Sequence, residues 1–219
     1  MGAARGKDVQ ARADRASRYA SARLSAWLGR RVELAVATVC VGVPAILAAR
    51  LRRATRIDGP VTGVRQGFRA GARGEALMLL AGDPADRWWR PAGALSGQVT
   101  AGLTPDEALL ELGALLTGVY VGAAGHDGIG SGVPCFLPPT LLGAARPLEV
   151  ILTRAAPSRA ALRMTGMRVS VPAIAFDGVL VIFSALECGN GSPTDDVPVD
   201  ARKAARPRGP GHAMPECVR

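Results

Sequence analysis

The chain has 219 residues, 27 basic and 18 acidic side chains, and a formal net charge of +9. About half of it is Ala, Gly, Pro and Arg, whose codons are dominated by G and C, so part of the basic balance records nucleotide composition. This composition excludes a collagen-like repeat, an acidic tail protein and a disulfide-dense scaffold.

The charge is concentrated at one end. Residues 1–73 hold 15 basic and 4 acidic side chains, a net of +11, and residues 74–219 hold 12 and 14, a net of −2. Such a basic end attracts phosphate backbones and anionic lipid headgroups alike, so neighbouring apolar residues must discriminate between them. Cys40, Cys135, Cys188 and Cys217 are far apart, with no CxxC pair. That spacing reads as isolated reduced thiols, with no metal site and no cofactor implied.

In chain order, residues 1–33 form a basic amphipathic segment, helical over 8–32. Ala20, Leu24, Trp27, Leu28 and Val32 recur at helical spacing, while Arg15, Arg18, Arg23 and Arg30 fall largely elsewhere. One reading is a surface helix packed on its own domain; the other is an interfacial helix with Trp27 at headgroup depth.

Residues 34–53 read as an apolar helix. The stretch Leu34 to Ala49 is uncharged, with Arg30 and Arg31 before it and Arg50, Arg52 and Arg53 after it. Sixteen residues span ~24 Å at 1.5 Å each, short of a ~30 Å hydrocarbon core, and snorkelling arginines could cover the difference. The segment is therefore a candidate membrane anchor or a buried core helix, and Trp27, Arg30, Arg31, Arg50, Arg52 and Arg53 are the candidate membrane-contact residues. No clean cleavage site follows Ala48-Ala49, which disfavours a removed signal.

Residues 54–75 read as a Gly- and Arg-rich linker, and 76–187 as a small domain. Arg87-Trp88-Trp89-Arg90 could stack on bases or lie at a membrane interface. Thr104, Pro105 and Glu107 form a capping box ahead of a leucine-rich helix, which should be buried. The Gly-rich loop 122–132 carries His126, Asp127 and Ser131, the only candidate ligand loop, although it lacks a phosphate-loop motif and a G-x-S-x-G elbow. Leu148–Thr153, Ala161–Val171 and Val179–Leu186 read as three strands, with Gly166 at a bulge and Asp177-Gly178 at a turn. Residues 188–219 are rich in Pro, Gly and charge and read as a disordered tail.

The expected fold is α+β: a basic helix and an apolar helix, then a small domain with one buried helix and a three-stranded sheet. No internal repeat is visible. The function expected is a membrane-associated accessory or binding protein without catalytic activity, otherwise cytoplasmic, on an anionic membrane surface with no protein partner specified. Three alternatives stay open. One is nucleic-acid binding through residues 1–73, another an enzyme with a small-molecule site in the 122–132 loop, and the third a spurious high-GC reading frame.

Overall fold

The computed structural model describes residues 2–70, 72–81, 104–125, 133–143, 145–155 and 162–185. Their elements are α1 (Gly2–Leu28), β1 (Glu33–Gly42), α2 (Pro44–Thr55), β2 (Val61–Ala70), β3 (Ala72–Ala81), α3 (Pro105–Ala124), β4 (Cys135–Phe136), β5 (Thr140–Leu141), α4 (Leu148–Ala155), β6 (Leu162–Val171) and β7 (Phe176–Ala185). A 3-10 turn, Pro172–Ile174, joins β6 to β7.

The fold is α+β, but the sheet has seven strands instead of three, in the order β1-β6-β7-β3-β2-β4, with β5 also on β2. Every pairing is antiparallel. That order reads the same from both edges once the chain is halved. The unit α1-β1-α2-β2-β3 is matched by α3-β4/β5-α4-β6-β7. In each unit the outer piece, ten-residue β1 in the first and two-residue β4 and β5 in the second, pairs with the other unit's hairpin, and β3 meets β7 at the centre. The structure thus contains a two-fold repeat that the residues do not advertise.

Helices cover both faces. On one side α1 and α3 supply Ala16, Ala20, Leu24, Leu109, Leu112, Leu116 and Tyr120 to a core shared with Val64, Met78, Met167 and Leu180. On the other, Leu47 and Leu51 of α2 and Leu148, Ile151 and Leu152 of α4 pack on Leu77, Leu79, Met164 and Val181. Each fully buried leucine contributes roughly 1.5–3 kcal/mol relative to an exposed one.

The segment 34–53 is not one apolar helix. Val36, Thr38, Val39 and Val41 favour a strand, and Pro44 ends it by holding Val43 extended (φ −83°, ψ 159°) before opening α2 at its first turn. β1 is contacted by α1 on one side and α2 on the other, so it needs apolar residues on both faces and loses the alternation of a half-exposed strand. An uncharged run results that imitates a short membrane span. Among the described residues the one helix long and apolar enough to cross a membrane is Asp106–Ala124, and 56% of it is buried within the fold.

Three serines of α1 explain how β1 begins. Ser17, Ser21 and Ser25 are spaced by four and so share a face. Ser21 Oγ accepts from Leu34 N–H at 2.8 Å, Ser25 Oγ accepts from Val32 N–H at 2.8 Å, and Ser17 Oγ donates to the Leu34 carbonyl. The N–H and C=O of Leu34 that an incoming strand would seek are thereby occupied.

Three further expectations are corrected. The supposed linker 54–75 contains β2 and the start of β3, where Arg65 and Glu75 form a cross-strand ion pair. Leu148–Thr153 is helical, because Leu148, Ile151 and Leu152 bury one face at spacings of three and four while Val150 points outward. Asp177 and Gly178 lie inside β7, and the turn before it is made by Pro172–Ile174 with Ala175 at φ 50°. The leucine-rich helix, in contrast, is as expected. Thr104 Oγ1 accepts from Glu107 N–H, Glu107 Oε2 accepts from Thr104 N–H at 2.7 Å, and Leu109, Leu112 and Leu116 are buried.

Candidate protein-binding surface

The residues singled out around the apolar run do not bracket one element. Arg30 and Arg31 lie in the turn between α1 and β1, both exposed, and Arg31 Nε is 2.7 Å from Glu33 Oε1. Arg50, Arg52 and Arg53 sit on α2. Arg50 and Arg53 are exposed, whereas Arg52 binds Glu149 of α4 and ties the two helices on that face together. Arg50 also lies against Cys40, whose thiol is nevertheless pushed up from its ordinary value by burial.

His126, Asp127 and Ser131, the pair Trp88-Trp89 and the tail 188–219 lie outside the described residues. Among the described residues no three His, Cys, Asp or Glu side chains gather as a metal-ligand set. The buried polar groups serve the core: Tyr120 is hydrogen-bonded to Thr165, and burial raises its phenol well above the usual range. Near the end of α2, Thr55, Arg56, Asp177 and Gly178 line a shallow cleft, where Arg168 Nη2 donates to the Ala54 carbonyl at 3.0 Å. That bond satisfies a carbonyl in the last turn of α2, a structural task.

The exposed face of α1 differs in kind. Its apolar arc, formed by Ala13, Ala16, Ala20 and Leu24, is buried in the fold. Trp27 belongs to that arc by spacing, yet in the last turn of α1 it is 59% exposed. Tyr19, which the sequence reading did not single out, is 50% exposed. Arg12, Arg15, Arg18 and Arg23 are exposed along the same helix. Spacing by four was the signal available in the sequence, since Arg15, Tyr19, Arg23 and Trp27 follow one ridge. Chemically, guanidiniums can hold carboxylates or phosphates, and the indole and phenol offer large flat apolar surface beside them.

No family model matches the chain, and no curated protein matches it in sequence. Solved structures do share its fold, among them structures of FliY and FliM. FliY of Thermotoga maritima is 14% identical with a TM-score of 0.54, over 84% of this chain and 91% of that one. FliM of H. pylori in a FliM–SpeE complex is 12% identical with a TM-score of 0.51, over 84% and 90%. FliM of H. pylori in a FliG–FliM complex is 13% identical with a TM-score of 0.50, over 82% and 91%. At such identities the likeness is one of fold, spanning most of the chain.

Proposed function

We propose that this chain is a protein-binding adaptor domain that works by docking rather than by catalysis. The observation that carries the reading is the shared fold. Two of the solved structures that resemble it are complexes of FliM with another protein, FliG in one and SpeE in the other. The rigid helix-covered sheet and the exposed ridge of α1 suit such a role, since a preformed surface loses little entropy on binding. The membrane part of the sequence expectation has lost its motive, because the apolar run is divided between a sheet strand and a helix.

The reading is tested by chemical cross-linking in the cells that make the protein, followed by purification of the tagged full chain and mass spectrometry. A single protein recovered in near-stoichiometric yield, and recovered again when the tag is moved onto that protein, is the expected result. Turnover of a small molecule by the purified chain, with no protein cross-linked, would refute it.

A further inference from the structure

We propose that the exposed ridge of α1 docks an acidic amphipathic helix of a protein partner. The proposal rests on the protein-binding reading above and adds the surface and the partner chemistry. From Arg15 to Trp27 the ridge runs ~18 Å at 1.5 Å per residue, with Arg, Tyr, Arg and Trp succeeding one another a turn apart. Arg12 lies just before it and Arg30 just after, both exposed, which lengthens the basic character at each end. A complementary helix carries carboxylates one turn apart, and between them leucine-sized residues that cover Tyr19 and Trp27. Arg, Trp and Tyr are the residue types on which binding energy concentrates at protein interfaces.

Two other polyanionic surfaces fit less well. An interfacial membrane helix inserts its apolar face, and on α1 that face is already buried under Ala13, Ala16, Ala20 and Leu24. A nucleic-acid strand stacks successive bases ~3.4 Å apart. Tyr19 and Trp27 are eight residues, or ~12 Å, apart along the helix. They cannot form one stacking platform, and Arg23 alone lies between them. Asp8, exposed in the N-terminal part of the same helix, and Glu33, paired with Arg31, also interrupt a continuous positive track. A protein helix with a mixed acidic and apolar face tolerates such interruptions.

The probe is a fluorescein-labelled synthetic helix of three heptads, with Glu and Leu alternating along one i, i+4 ridge, titrated with the full chain. Anisotropy should show saturable binding that weakens as salt is raised. Arg23→Glu and Trp27→Ala should each weaken it by about tenfold, with the thermal midpoint unchanged because both side chains are exposed. Arg53→Glu, on the opposite face of the sheet, controls for net charge and should leave binding within about twofold. Equal loss with Arg53→Glu, or no loss with Arg23→Glu and Trp27→Ala, would overturn the assignment. So would tighter binding of single-stranded DNA or phosphatidylserine vesicles through the same two residues. If a cross-linked partner is still recovered from Trp27→Ala cells, the protein-binding reading stands and only this surface falls.

Discussion

The contact between Gly166 and Leu51 is sharp enough to test the packing of the sheet by sign as well as size. Gly166 of β6 faces Thr38 of β1, where β1 carries one residue more than its partner between Val36 and Thr38. A Cβ added there would lie 2.5 Å from Leu51 Cδ1 and 3.2 Å from Thr38 Cγ2. Leu51 has no exposed surface, so its methyl has no open direction in which to retreat. Gly166→Ala should therefore destabilise by ~1–3 kcal/mol through overpacking. Without the clash the same change would stabilise by ~0.4–1 kcal/mol, since alanine restricts the unfolded chain. Leu51→Ala alone should cost ~2–5 kcal/mol as a cavity. Combined, the two should cost less than their sum by ~1 kcal/mol or more, because removing the leucine methyls makes room for the new Cβ. Urea unfolding of the full chain, followed by circular dichroism for all four proteins of the cycle, measures this. In a chain of this size each kcal/mol moves Tm by ~2–4 °C. A stabilising Gly166→Ala, or a strictly additive double variant, would refute the reasoning.

Other consequences are as direct. Gly63 has φ +155°, and a Cβ there would fall 1.7 Å from the Met78 carbonyl oxygen, so Gly63→Ala should disrupt the β2–β3 pairing and reduce the yield of folded protein far more than Gly166→Ala does. Thr104→Ala removes the cap of α3 and should lower stability by ~1 kcal/mol in the same unfolding assay. Burial holds the Cys40 thiol above its ordinary pKa while Cys135 is exposed, so iodoacetamide at neutral pH should label Cys135 in minutes and Cys40 only after unfolding, read by peptide mass spectrometry. Raising the pH above that elevated value should increase the Cys40 thiolate and shorten its lag. Equal labelling of both in the native chain would contradict the buried position of Cys40.

How much of this was legible in the residues depended on what surrounds each element. α3 was legible because its cap is local and its leucines mark a fully buried helix. β6 and β7 were legible because their β-branched and apolar residues form runs of strand length between Pro and Gly. β1 was not, since helices on both faces erase the period of two and leave a run that resembles a membrane span. β2 was disguised by Gly63 and Gly67, which look like linker residues. In the fold Gly67 lies beneath Leu137, whose Cδ1 would be 2.8 Å from an added Cβ. α4 is only eight residues, with Val150, Ile151 and Thr153 favouring a strand in isolation. On the candidate surface, Trp27 and Arg30 were legible only as membrane contacts, and Arg15 and Arg23 only as the charged side of the helix. Tyr19 was not legible, because its exposure shows only once the neighbouring arc of α1 is seen to be buried.

The mirrored strand order also governs how the chain must be made. β1 finds its place beside β6, with Leu34 opposite Val169, and the hairpin that receives it is translated more than a hundred residues later. Neither half can finish its own sheet: the first half emerges with β1 unpaired and β3 lacking its central neighbour β7. The serines that α1 places on Leu34 act from the same half, so they can guard part of that strand while the ribosome is still working toward its partner. Cutting the chain between the halves would leave two fragments, each presenting to solvent the strand edges that the other was built to cover.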